Sequence, residues 1–407
     1  MDAYLKEDPG RFGINTHSYE FQPLSDTPAP RGYKPFYISY YARHGSRSDW
    51  AEYSYRRVVE DLSAARREGI LRPEAELLLR DAERILALHD GMDGRLTPRG
   101  VREHRRLAER MFKRYPRVFR KGTGSVRAES STVPRCLVSM SAACASLAAH
   151  CPSLELSMDT GERAMAYIAQ GSTVSIVERT RPVLDSIRHT WPSDSVTLYQ
   201  RLFTDVQAGK ALLPRRGRLE HDIFNTARIA EAFDIEDNLF AFISETALYK
   251  WYCNSLLELY LNEADSPLNG DERLPRSADL VDVIVRQADE AIGGGKYCAD
   301  LRFGHDIPFV GLCCYFGLEG VVGRLSFEEV IDSWCGSRIV PFAANLQMVF
   351  YRRRGGQGDV LVKFLLNEQE TLVPELTPVK GPYYRWADVK AMCASRPDNK
   401  PSRALAK

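Results

Sequence analysis

Strand–helix alternation marks both ends of this chain, and the stretch between them, residues 160–290, reads as helix throughout. NTARIAEAFDI, NLFAFISETALYKWYCNSLLELYLNEA and SADLVDVIVRQADEAIGG all carry apolar residues at helical spacing. Strands and helices that alternate, stop and then resume predict an α/β sheet domain interrupted by a helical cap. The expected core comprises residues 34–155 and 290–390, with 156–289 inserted as the cap. Residues 1–33, punctuated by Pro23, Pro28, Pro30 and Gly32, are expected to be irregular, and 391–407 to form a polar tail. A length of 407 residues suits such a plan, being more than one ordinary domain and fewer than three.

The local signals are specific enough to place individual residues. PFYISYYARHG is a short aromatic-rich apolar run, as in a buried strand, and it delivers Arg43 and His44 at its carboxyl end. Residues 50–68 and 73–90 read as helices. Thr97 is an expected N-cap, with Pro98 opening a helix to about Tyr115. Residues 124–128 suggest a strand. A loop with Ser130, Ser131 and Thr132 follows, then a small-residue helix, RCLVSMSAACASLAAH. ADLRFGHD ends a strand, and a helix with Pro308 near its start runs to about Phe316. QMVFYRRRGGQGDVLVKFLLNE has the alternation of a hairpin around Gly355-Gly356.

Composition excludes some classes of partner. The formal net charge is +1, so no global field attracts nucleic acid or a membrane surface. No apolar run is long enough to span a bilayer. The N-terminus lacks the apolar core of a signal peptide. Nine cysteines include no paired C-x-x-C elements, which argues against structural zinc, and buried free thiols are the expected state of most.

Three segments carry chemistry. In Arg43-His44-Gly45-Ser46-Arg47, two guanidinium forks that match phosphate oxygens flank an imidazole. Fixed cations favour its neutral form, with a ring nitrogen available to attack. Taken alone, the segment is equally a basic turn. His305-Asp306 falls between a strand and a helix, where an anion is favoured. His305 is either a phosphate ligand or a core histidine. Asp306 is either a general acid or an N-cap. Arg135 opens a helix after a strand and loop, either as a third phosphate ligand or paired with a carboxylate. Basic stretches at 214–221 and 352–354 read better as solvated loops than as substrate contacts.

Together these segments resemble the histidine acid phosphatases, and within them most closely the multiple inositol polyphosphate phosphatases. The likeness spans most of residues 34–390. It includes YARHGSR at 41–47, GRLTPRG at 94–100, PRCLVSMSAA at 134–143, ADLRFGH at 299–305, PFAANLQMVFYRR at 341–353, LLNEQE at 365–370 and GPYYRW at 381–386. The resemblance implies a phosphoglycerate-mutase-like central sheet flanked by helices. It implies His44 as the nucleophile that forms a phosphohistidine, Asp306 as proton donor, and Arg43, Arg47, Arg135 and His305 as phosphate ligands. It implies no metal and no cofactor. The implied substrate is inositol hexakisphosphate or a related phosphate ester, and the implied location is periplasmic or secreted, with a leader removed. The chain departs from the inositol polyphosphate branch where His305-Asp306-Ile307 replaces the usual His-Ala-Glu. Asp49 stands where the family often has proline, and Pro134 where other members place an acid before the third arginine. Alternative readings are a broad-specificity acid phosphatase, a phosphoglycerate-mutase-like phosphotransferase and a catalytically silent anion binder.

Overall fold

The computed structural model describes residues 3–120, 124–171, 173–188, 196–356 and 358–396. Its eight strands are β1 (Tyr33–Arg43), β2 (Ser125–Ser130), β3 (Glu155–Thr160), β4 (Tyr297–Gly304), β5 (Asn345–Arg353), β6 (Leu361–Leu366), β7 (Gln369–Thr371) and β8 (Tyr383–Arg385). They form one sheet in the order β3-β2-β4-β1-β5-β6-β7, with β8 also on β6. The first four positions are parallel, and β5, β6, β7 and β8 join antiparallel. The expected α/β class, with a central sheet flanked by helices, is what the chain adopts.

The aromatic run became the centre of the sheet. From Tyr37 to Arg43 every residue of β1 is buried, because a strand with neighbours on both edges and helices on both faces has no solvent side. Tyr37 and Tyr41 pack into one apolar layer, and Ile38, Tyr40 and Ala42 into the opposite one. The two residues at its end are therefore held rigidly.

Helices occupy Tyr53–Arg67, Ala75–His89, Pro98–Arg114 and Pro134–His150, close to the expected positions. The Thr97 side chain caps its helix by accepting from the Gly100 N–H, and Pro98 and Pro134 open their helices. Between β3 and β4 the described residues outside turns are helical. The Arg216–Ala230 helix packs on Tyr53–Arg67, clamped by ion pairs between Arg218 and Asp61 (2.6 Å) and between Arg57 and Asp222.

Three expectations needed revision. The N-terminal stretch contains a short helix, Ala3–Glu7, and a 3-10 helix, Pro9–Thr16, whose Phe12, Gly13, Ile14 and Thr16 are buried. Its apolar residues number too few for a periodicity signal, so only tertiary contacts reveal it. The hairpin at 347–368 exists, but β5 lies inside the sheet and is buried on both faces almost to its end, rather than alternating with solvent. Of the expected tail 391–407, residues 391–395 instead finish the helix Trp386–Ser395, with Met392 and Cys393 buried by apolar packing, while Gln357 and 397–407 lie outside the described residues. All nine cysteines are unpaired. Among the described residues no helix is long and apolar enough to cross a membrane.

The loop after β1 is pressed onto the helix that starts at Pro98. A Cβ on Gly100 would lie 2.3 Å from the Ser46 carbonyl oxygen, and one on Gly45 2.6 Å from that of Gly100. Gly100→Ala is therefore expected to destabilise the fold by about 1–3 kcal/mol, as overpacked sites do. A urea midpoint equal to wild type would show that the loop can lift away.

Candidate active site

Strand register assembles the site. Arg43 lies directly opposite Gly304 across the parallel β1–β4 pair. The next residues, His44 and His305, emerge side by side with ring centroids 5.8 Å apart. Ser130, ending β2, sits opposite Phe303, so the loop leading to Arg135 leaves from the same edge. All six residues predicted from the sequence converge there, at the carboxyl ends of parallel strands where α/β sheets bind ligands.

His44 is buried. Its backbone N–H donates to the Gly304 carbonyl (2.9 Å), and its own carbonyl accepts from Ala343 N–H. Nδ1 lies 3.0 Å from the Gly45 carbonyl oxygen, which can only accept. Nδ1 therefore carries the proton, and Nε2 keeps its lone pair. Burial first, then the charges of Arg43, Arg135 and Arg47, hold the imidazole well below its ordinary pKa and so neutral.

Three guanidiniums surround it. Arg43 donates through Nη1 to the carbonyls of Asn15 and Val340 and through Nη2 to Asp306 Oδ2 at 2.9 Å. Arg47 donates to the Ser48 carbonyl (2.7 Å), with Asp49 only at 3.9 Å. Arg135 Nη2 donates to His305 Nδ1 (3.3 Å), which leaves the proton of His305 on Nε2, bonded to Ser131 Oγ at 3.0 Å. Burial and Arg135 lower the His305 pKa to about 4. The Nε atoms of all three arginines are buried without a hydrogen-bond partner. The arrangement is a pocket of cations short of anions, with a neutral nucleophilic nitrogen between them.

Asp306 is the first residue of its helix, and His305, not Asp306, takes the capping position. Burial pushes the Asp306 carboxyl up, but Arg43, His305 and Arg47 outweigh it and hold it below the usual range. Asp306 is thus a carboxylate in a field of cations. An anion that neutralises those cations would raise its pKa.

Several participants left no signal in the sequence. Asn15 supports Arg43 through its carbonyl, and its Nδ2 donates to Asp306 Oδ2 at 3.3 Å. The preceding Ile14 has φ 54°, a strained value for a β-branched residue, where the chain turns to present Asn15. Ser46 donates to Glu103, which is buried beneath the loop (2.7 Å). Ser131 was part of a recognised loop but had no assigned role. The basic clusters are elsewhere. Arg218 pairs with Asp61 and Asp222. The 352–354 run lies at the opposite end of β1 from His44, where Arg352 and Arg353 pair with Lys34 and Tyr33 in the strand register.

A cleft of about 740 Å³ bordered by Tyr4, Glu20, Arg338 and Glu370 also lies apart and includes none of the six residues. Beside it, Asp8, His17 and Glu231 have spacing that a metal could use. The donor set does not fit one. His17 Nδ1 lies 3.0 Å from Glu231 and Nε2 2.7 Å from Glu20. Burial lowers the His17 pKa, but the two carboxylates overcome it and raise the value to about 9. The ring is an imidazolium with both N–H groups donating and no lone pair to offer. It ties the N-terminal segment to the helical region.

No family model matches the sequence, and no curated protein sequence matches it. Solved structures do match. The chain superposes on the multiple inositol polyphosphate phosphatase of Bifidobacterium longum in complex with inositol hexasulfate, with a TM-score of 0.72 and 17% identity over 97% of this chain and 99% of that one. The phytase from D. castellii gives 0.70 and 13%, over 95% and 84%. The Hafnia alvei phytase in complex with tartrate gives 0.53 and 11%, over 91% and 100%. At these identities the shared property is the fold.

The clamped His17 has a measurable signature. Its folded pKa exceeds the unfolded value of about 6.5. Its stabilisation is thus complete below pH 6.5 and is lost as pH rises through about 9. Wild type should lose stability across that window, and His17→Gln should lose less. Equal pH dependence in urea titrations of the two would contradict the assignment.

Proposed function

We propose that this protein is a phosphomonoester hydrolase that works through a phosphohistidine, with inositol polyphosphates such as phytate as substrates. One observation carries the reading. His44 is neutral, with its proton held at Nδ1 by Gly45 and its Nε2 free among three buried guanidiniums. The fold shared with inositol polyphosphate phosphatases and phytases supports it.

In the proposed first step, His44 Nε2 attacks phosphorus and the bond to the ester oxygen breaks. The leaving oxygen takes the proton of Asp306. Water then attacks the phosphorus, the phosphorus–nitrogen bond breaks, Asp306 takes the proton from the water, and inorganic phosphate leaves with His44 restored as the neutral base. Splitting one displacement into two lowers each barrier. Arg43, Arg47 and Arg135 neutralise the charge on the transferring group, and His305 completes the set of phosphate ligands. Asn15 holds Arg43 and Asp306 in place. An exported location, periplasmic or secreted, belongs to the same proposal and rests on the resemblance alone.

His44→Ala is expected to abolish turnover. It should also abolish labelling of the protein by substrate phosphate, read after an alkaline quench that preserves phosphoramidates. Substantial activity in that variant would refute the nucleophile. Asp306→Asn should cost about 10²–10⁴-fold on alkyl phosphates, and far less on p-nitrophenyl phosphate, whose leaving oxygen needs no proton. Equal losses on both would remove Asp306 from the donor role.

The pH dependence follows from Asp306 being ionised. Its proton must arrive with a monoanionic phosphate or be taken up on binding. Activity should therefore fall as pH rises past about 6, the second phosphate pKa. A rate flat from pH 4 to 8 would count against this. Chromatography of the products from phytate would separate hydrolysis from phosphoryl return to an isomeric ester.

A further inference from the structure

Trp50 follows directly on the basic loop and is 61% exposed. Its indole nevertheless has two defined partners. The guanidinium carbon of Arg47 lies 4.8 Å from the ring centroid, and that of Arg135 lies 4.5 Å away. Below the ring is Gly94, at φ +61°, where a Cβ would come within 3.1 Å of the six-membered ring. The Gly94 N–H donates to the Asp49 carbonyl at 2.8 Å, which fixes this floor beneath the indole. The ring is thus seated on backbone and spans two of the three guanidiniums of the pocket.

Trp50 is the nearer ring for both: Arg47 also lies 6.0 Å from the Phe342 centroid, against 4.8 Å for Trp50, and Arg135 meets Trp50 at 4.5 Å. Arg47 has one backbone acceptor and a carboxylate at 3.9 Å. Arg135 has His305 and, among the described residues, no carboxylate within ion-pair distance. Carboxylate partners would fix the two forks, but they would consume N–H donors and cancel the positive charge an anion needs. A π face attracts a guanidinium without accepting its N–H hydrogens in the plane of the fork. It therefore orients the cations and leaves their donors available. More than half of the same side chain is exposed beside these two guanidiniums, so it is available to the carbon skeleton of an ester bound there.

We propose that Trp50 is a positioning residue that holds the Arg47 and Arg135 forks toward the phosphate and offers its exposed face to the ring of a cyclic leaving group. This rests on the phosphatase reading of the site and adds a determinant of substrate class. Esters of cyclic alcohols, cyclitols among them, should be preferred over esters of short linear alcohols.

The test uses wild type, Trp50→Phe and Trp50→Leu. Leucine keeps apolar bulk without a π face, and an exposed position tolerates it. Inorganic phosphate serves as the probe, as a competitive inhibitor and by titration of tryptophan emission. Trp50→Leu should weaken phosphate binding about tenfold, and Trp50→Phe should stay within about threefold of wild type, given the strength of two partly desolvated cation–π contacts. Phosphate should change the wild-type emission, and the change should vanish in Trp50→Phe. The ratio of kcat/KM for phytate over glycerol phosphate should fall in Trp50→Leu. Wild-type phosphate affinity in Trp50→Leu, or an emission change that survives in Trp50→Phe, would overturn the bracing role while leaving the phosphatase reading intact. A wild-type protein that neither binds phosphate nor hydrolyses esters would overturn both.

Discussion

The parallel pairing of β1 with β4 is the constraint on which the site depends. Opposing Arg43 and Gly304 makes the next residue of each strand a histidine, and the two imidazoles meet at one sheet edge. A shift of one residue in this register would send one of them to the other face. The pairing leaves no room for error at Gly304, where a Cβ would fall 2.1 Å from the Tyr41 hydroxyl oxygen and 2.7 Å from the Ile168 carbonyl. On its other edge β1 pairs antiparallel with β5, and the segment before β5 supplies Val340, Phe342 and Ala343 around Arg43 and His44. One central strand, buried on both faces, thus sets the positions of Arg43 and His44 and, through its pairing with β4, of His305 and Asp306.

Burying more cations than anions is costly, and this pocket holds three guanidiniums with one close carboxylate. Arg43 has that carboxylate at 2.9 Å, Arg47 a distant one, and Arg135 none among the described residues. Backbone carbonyls, an imidazole and two aromatic rings take up the remainder. These groups orient the forks while cancelling little of their charge. On the proposed function a doubly charged phosphate would complete the balance, and the same field that keeps His44 neutral would stabilise the group it attacks. Asp306 sits inside this field, so its protonation is coupled to the charge of the substrate.

Much of this was legible in residues 41–47, 134–135 and 305–306. Arginine and histidine have few reasons to cluster at strand ends, and the Thr97 cap with Pro98 fixed where the next helix begins. Asn15 was not legible. Its contribution is partly a carbonyl group, which every residue has, presented by a backbone turn that no side-chain pattern announces. Trp50 was read only as part of a helix that in fact starts at Tyr53. Its partners lie 3 and 85 positions away in sequence, and only the packing of the helix that begins at Pro134 beside the first loop brings them to one ring.

By itself, the order of residues determined the α/β class, the strand ends and the chemical types delivered there, because periodicity, turn residues and caps act over a few neighbours. Tertiary structure decided which strands are adjacent and in what register. It also decided which tautomer His44 holds, and that an apparently irregular N-terminus closes the site. Those outcomes depend on long-range pairing and on the burial of charge, which act between residues far apart in sequence, 291 positions in the case of Asn15 and Asp306.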